Sequence, residues 1–380
     1  MGLLSENAYE AAPSDLKLEQ VHVYIRHGER TPVGIRMSEP PANIPAFWNL
    51  CKTARRFKAA VMGENNITEE AEIVRLSERG DGYAQEGECL PGELTDVGRK
   101  STLRVGQELR KLYVERLGLL PEVLDSHKTA YFRLAELALA FNLAAAKDNN
   151  PNLERLDSKL SKYIGGNPIR IDGRPRLSGI LDTIRAADAH GFRIPPEFKD
   201  PNTVEIMVCL VKLKSPPPRA HEFNLGNGHK DGEFRRLAMG RLLAEMSGGM
   251  TAIVNRTEAP KIRVLACHDT TLAGLCQTLD VFNNRWPDFT ASITFELFSE
   301  STSQSTPSTH SLGIFSRKPA VKHFVRMRYQ NRNLALPACA AREDHLSGSP
   351  EFCTLAAFQE HIRKLTPDDW EKECIPKKGR

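Results

Sequence analysis

From Val21 to Ile25 apolar residues alternate with His22 and Tyr24, a period of two that predicts a short buried strand. The pattern breaks at Arg26-His27-Gly28-Glu29-Arg30-Thr31-Pro32, where Gly28 permits a tight turn and Pro32 stops any regular continuation. Residues 33–92 hold no sustained period. Pro40, Pro41, Pro45 and the glycines from Gly80 to Gly92 predict irregular loop there. A helix opens after Thr95, a fitting N-cap, with Leu103, Leu109, Leu112, Tyr113 and Leu117 on one face and Gly118 at its end. Residues 128–147 are rich in alanine and leucine and predict a helix, stopped by Asp148-Asn149-Asn150-Pro151. Helical spacing returns at 153–164, at 176–190 before Gly191, and at 233–247 before Gly248. Loops are expected at Pro216-Pro217-Pro218 and Leu225-Gly226-Asn227-Gly228.

The second half returns to strands. Ile262 to Ala266 reads as a buried strand and Leu272 to Leu279 as a helix, with His268 and Asp269 at the join. Ser292 to Phe298 alternates, and Lys322 to Gln330 alternates again as a partner strand, with Phe324 and Met327 inside a basic run. Between them Glu300 to Ser311 is rich in Ser and Thr. Cys353-Thr354-Leu355 opens a last helix, and Thr366 to Trp370 a short terminal turn. This order predicts an α/β fold, a mostly parallel sheet flanked by helices with an inserted helical cap. The expected division is a tail at 1–18, a catalytic α/β part at 19–60 and 230–380, and a mainly helical region at 61–229.

Composition changes this picture little. A chain of 380 residues, 40% hydrophobic and 26% charged, can bury a large core. A net charge of +4, dispersed rather than striped, gives no reason to expect nucleic acid as a partner. No run approaches the roughly 20 apolar residues of a membrane span. Glu6, Glu10, Asp15 and Glu19 against Lys17 alone fit neither a secretory signal nor a transit peptide, so a cytoplasmic protein with reduced cysteines is expected. None of the eight cysteines forms a Cys-x-x-Cys pair, which argues against zinc. Cys267 and Cys276 lie in apolar sequence and read as small core residues.

The chemistry concentrates at two strand ends. In an open α/β sheet ligands sit beyond the carboxyl ends of strands, where Arg26 to Arg30 would fall. Guanidinium groups bond phosphate oxygens in pairs, and neutral imidazole attacks phosphorus, which makes Arg26 and Arg30 candidate phosphate ligands and His27 a candidate nucleophile. Arg-His-Gly-x-Arg-x-Pro is expected by chance in on the order of one in ten thousand chains of this length. His268-Asp269 alone is common by chance, but here it follows a strand and opens a helix whose N–H groups suit an anion.

These stretches resemble the signature of the histidine acid phosphatases, the branch of the histidine phosphatase superfamily that includes phytases and lysophosphatidic acid phosphatases. Gly92-Glu93-Leu94-Thr95-Asp96-Val97-Gly98 also matches that family, and the resemblance runs from about Val21 to Cys374. It implies a phosphoglycerate-mutase-like fold and metal-independent phosphomonoester hydrolysis without a cofactor. It further implies a phosphohistidine on His27, with Arg26, Arg30 and His268 holding the phosphoryl oxygens and Asp269 protonating the leaving oxygen. The implied partner is a small phosphorylated substrate; oligomeric state stays open. Exported relatives use disulfides, so Cys339 with Cys353 or Cys374 would be the pairing in that case.

The resemblance fails in one place. The family carries a third phosphate-binding arginine after a central strand, in an Arg-[Ser/Ala]-Thr-x-x-x-Arg pattern. His127-Lys128-Thr129-Ala130-Tyr131-Phe132-Arg133 fills that slot, with His127 where the first arginine belongs. Either a strand and the arginine are absent between Ser126 and His127, or His127 or Arg133 substitutes. The alternatives to hydrolysis are a mutase, or a catalytically impaired homologue that binds phosphorylated ligands.

Overall fold

The computed structural model describes residues 4–63, 66–123, 130–134, 142–211, 235–283, 285–301 and 321–373. In chain order the elements are strands β1 (Leu16–Arg26), β2 (Arg56–Gly63) and β3 (Asn66–Val74), helix α1 (Asp96–Arg110) and strand β4 (Ala130–Leu134). Helices α2 (Asn142–Leu160), α3 (Leu177–Ala189), α4 (Pro201–Val211) and α5 (Arg241–Val254) follow, then β5 (Ile262–Cys267) and α6 (Asp269–Thr278). The chain continues with β6 (Ser292–Glu300), β7 (His323–Tyr329), β8 (Arg332–Leu334), β9 (His345–Leu346) and β10 (Ser349–Thr354). Helices α7 (Leu355–Leu365) and α8 (Trp370–Glu373) come last. Contacts divide the chain into two units: Met1–Arg26, Val105–Leu137 and Pro217–Arg380 form the first, His27–Arg104 and Ala138–Pro216 the second.

The first unit holds an eight-stranded sheet in the order β4-β5-β1-β6-β7-β10-β9, with β8 paired to β7. β4, β5 and β1 run parallel. From β1 the sheet continues antiparallel through β6, β7 and β10 to β9. The period-two reading of β1 is borne out by what each face meets. Tyr24 packs in a core with Met246 of α5, Leu272 of α6 and Phe358 of α7, while Val21 and Val23 meet Leu112, Tyr113 and Leu119. β6 and β7 are partners, but the basic run does not face water. Arg326 and Arg328 are fully buried, Arg326 on Glu296 at 2.7 Å, and Tyr113 donates to the same carboxylate at 2.8 Å. Burying Arg326 is tolerable because it is paired and fully hydrogen-bonded, whereas Arg328 reaches Glu296 only through Nη1 at 3.5 Å.

The second unit is built on helices. α2, α3 and α4 share a core in which Leu153, Leu156, Leu160, Ile180, Ile184 and Met207 surround Trp48 and Ile44.

The structure corrects several expectations. Residues 33–92 contain the two-stranded ribbon β2–β3. The helix expected at 128–147 is replaced at its start by β4, because the free edge of β5 offers a parallel partner and tertiary pairing outweighs helix propensity. α2 then runs through Pro151, taking in most of the helix expected at 153–164. Proline in a helix costs about 3 kcal/mol, and burying Leu153, Leu156 and Leu160 at about 2 kcal/mol each more than offsets that, by about twofold. α5 continues past Gly248 to Val254 and buries Met250, and Gly249 lies against β1, where a Cβ would stand 3.1 Å from the His22 ring. Cysteines are not all reduced: Cys51–Cys89 and Cys339–Cys353 are disulfides, while Cys267 and Cys276 are buried thiols as expected. The expectations for His127, Cys374, the loops at 216–218 and 225–228, and most of 300–311 lie outside the described residues.

Candidate active site

In the first unit, β1 and β5 end side by side, with Arg26 in register with Cys267. The next residues along β5, His268 and Asp269, therefore stand beside Arg26 at the carboxyl ends of two parallel strands. Arg26 is 4% exposed and its Nη2 meets Asp269 Oδ2 at 2.7 Å. Its Nη1 donates to the Pro287 carbonyl at 2.8 Å, and its guanidinium lies 4.2 Å from the centre of the Phe289 ring. Pro287 and Phe289 had no signal in the sequence. α6 begins at Asp269, three residues earlier than expected, with His268 extended at its N-cap position. The half-buried His268 thus stands at the N-terminal end of a helix, a favourable place for an anion. Neighbouring Cys267 carries no nucleophilic chemistry: burial first, and the Asp269 charge second, push its thiol up to about 12.

In the second unit His27 and Arg30 are in contact. His27 Nδ1 lies 2.9 Å from the Gly28 carbonyl, and Arg30 Nε lies 3.3 Å from His27 Nε2. A carbonyl only accepts and a guanidinium only donates, so Nδ1 carries the proton and Nε2 presents its lone pair. Arg30 Nη1 donates to the Thr31 carbonyl, and Nη2 meets Asp182 Oδ1 of α3 at 2.9 Å.

The loop bearing these residues is backed by the second matched stretch. Arg30 and Leu94 form an antiparallel bridge, Thr31 N–H donates to the Glu93 carbonyl, and Thr95 N–H donates to the Glu29 carbonyl. Thr95 also caps α1, its Oγ1 accepting from Gly98 N–H at 3.2 Å. Gly98 is required by proximity: a Cβ there would collide with the Glu29 carbonyl, and one on Gly28 would collide with the Gly98 carbonyl. Asp182 was missed by sequence reasoning because 152 residues separate it from Arg30.

Among the described residues no group of three His, Cys, Asp or Glu is placed to hold a metal ion, and no helix is long and apolar enough to cross a membrane. Arg133 lies in β4 in register with Leu265, short of the level of His268.

Residues 17–135 match the model of the histidine phosphatase superfamily (branch 2). The chain is 27% identical to a probable acid phosphatase of Schizosaccharomyces pombe over 454 residues, covering 96% of each protein. That alignment is longer than the chain itself, so more than seventy of its 454 positions have no counterpart among these 380 residues. Human lysosomal acid phosphatase is 29% identical over 51% of this chain and 39% of its own length. A Hafnia alvei phytase has a similar fold, with a TM-score of 0.52 at 12% identity over 94% of this chain and 99% of that one. Two strand-end motifs, a family model matched over residues 17–135 and acid phosphatase relatives thus agree, and together they support a phosphomonoester hydrolase similar to branch 2 of the histidine phosphatase superfamily.

Proposed function

We propose that the protein hydrolyses phosphomonoesters in two steps through a phosphohistidine on His27. His27 Nε2 attacks phosphorus while the ester P–O bond breaks and Asp269 delivers its proton to the departing oxygen. Water then attacks the phosphorus, the P–N bond breaks, and inorganic phosphate leaves. Arg26, Arg30 and His268 stabilise the charge on the transferring oxygens. The observation that carries this reading is the pair of contacts at His27, Nδ1 against the Gly28 carbonyl and Nε2 against Arg30 Nε, from which Nε2 is inferred to be the unprotonated nitrogen. Arg26 and Asp269 form an ion pair. In this reading the substrate dianion replaces the carboxylate as the partner of Arg26, which releases Asp269 to carry a proton.

The test is release of inorganic phosphate from an aryl phosphate, compared between the natural chain and His27→Ala. Turnover should fall by several orders of magnitude in the variant, since no other group replaces the covalent step. Acid-labile, base-stable label from radiolabelled substrate should mark the natural chain only; label persisting in the variant overturns the assignment.

A second reading, a homologue that binds phosphorylated ligands with little turnover, is favoured by the register of β4. Arg133 sits within the strand beside Leu265 rather than beyond its end. Inorganic phosphate binding with no measurable release from any monoester would select this reading.

A further inference from the structure

We infer that Asp182 is a positioning residue for Arg30, acting through that guanidinium on the phosphoryl group; this rests on the hydrolase reading above. Its carboxylate uses both oxygens on the motif loop. Oδ1 takes Arg30 Nη2 at 2.9 Å, and Oδ2 accepts from the Val33 N–H at 2.9 Å. One carboxylate thus ties a side chain and the backbone three residues on. The pair is shielded, with Arg30 at 16% and Asp182 at 15% side-chain exposure, so it is screened less than a surface ion pair.

α3 is shaped for this task. Leu177, Ile180, Leu181 and Ile184 anchor it in the core of its unit. On the face toward the loop, Gly179 stands one turn before Asp182. A Cβ there would press on the Arg36 guanidinium, 2.7 Å from its Nε. That side chain is flexible and could move aside, so the reach of Asp182 to residues 30 and 33 rests on its own two contacts.

The consequence is orientation. With Nη2 and Nη1 fixed on Asp182 and the Thr31 carbonyl, Arg30 Nε is directed at His27 Nε2. Without Asp182 the guanidinium regains its rotamer freedom, and ordering it again falls on each binding event.

The experiment combines kinetics with inorganic phosphate affinity by calorimetry for Asp182→Ala, Asp182→Asn and Asp182→Glu, with unfolding midpoints as the control. The expected result for Asp182→Ala is about a hundredfold loss in kcat/KM, shared between a raised KM and a lowered kcat. Phosphate affinity should fall about tenfold, as for loss of a partner that orients a ligand-holding group. Asp182→Asn should resemble Ala, because its amide turns a donor toward either Arg30 or the Val33 N–H. Asp182→Glu should recover part of the loss, since charge is kept. If Asp182→Ala fails to fold, Asp182→Asn decides the same question. Unchanged KM and phosphate affinity in a folded variant overturn the inference while leaving the hydrolase reading intact. A natural chain that neither turns over nor binds phosphate overturns both.

Discussion

Arg26 and Arg30 stand four residues apart and each is held by an aspartate, yet the two pairs are built by different means. Arg26 is the last residue of a central strand, and Asp269 follows the adjacent parallel strand, so sheet register alone brings them together. Pro287 and Phe289 then close around Arg26. Arg30 lies on a loop, and its aspartate comes from a helix far along the chain. Exposure differs as well. Arg26 is nearly sealed while its partner Asp269 is 21% exposed, whereas Arg30 and Asp182 are shielded alike. Both carboxylates are engaged at both oxygens: Asp269 meets Arg26 and accepts from the Thr270 N–H at 2.8 Å, and Asp182 meets Arg30 and accepts from the Val33 N–H at 2.9 Å. What separates the pairs is position: Asp269 opens a helix at the carboxyl end of a parallel strand, whereas Asp182 lies within α3.

The sharpest way to break that contrast is to remove the charge of each aspartate and vary the leaving group. Asp269→Asn should slow an alkyl phosphate by about 10²–10⁴-fold and a nitrophenyl phosphate far less, because a good leaving group departs without a proton. Asp182→Asn should slow both substrates by the same factor. Equal slowing of the two substrates by Asp269→Asn would make both aspartates anchors.

A smaller effect concerns the frame of the loop-borne pair. The Cys51–Cys89 disulfide closes a separation of 38 residues, and the Cys51 N–H donates to the Gly87 carbonyl beside it. Asp96 N–H in turn donates to the Leu50 carbonyl, which links this loop to the stretch backing Arg30. Reduction, or Cys51→Ser with Cys89→Ser, should cost about 2–4 kcal/mol and lower the unfolding midpoint. A midpoint indifferent to reductant would mean that the helical core alone holds the loop.

An effect graded with pH bears on the strand that carries Arg26. His22 in β1 is fully buried, and burial, then the Arg263 charge, lower it from 6.5 to about 3. Above pH 6.5 it is neutral folded or unfolded, and its contribution is complete. Below 6.5 the unfolded chain takes up a proton that the folded chain refuses, so stability falls as pH drops toward 3, by about 1.4 kcal/mol per pH unit. Unfolding midpoints from pH 7 to 4 should decline, and His22→Gln should flatten that decline. An unaltered slope in the variant would assign the acid sensitivity to other groups.

Much of the first unit was legible along the chain. β1, β5, β6 and β7 show period-two or continuous apolar runs, Thr95 and Thr354 show as caps, and both motifs stand at strand ends. The second unit was less so. The β2–β3 ribbon and the Cys51–Cys89 disulfide lie in a stretch without period, and Asp182 looks like any acid on a helix.

By itself the sequence determined which residues can do chemistry and on which kind of element they stand, because strand alternation, capping and the Arg-His-Gly-x-Arg-x-Pro run act between near neighbours. The tertiary structure decided what depends on partners distant in the chain. Ala130 to Leu134 became a strand because β5 had a free edge, α2 passed through Pro151 because its leucines found a core, and Gly98 is a glycine because Glu29 packs against it. Asp182 acquired a role only when α3 came to rest against residues 30 and 33, since local periodicity carries no information about which segments meet.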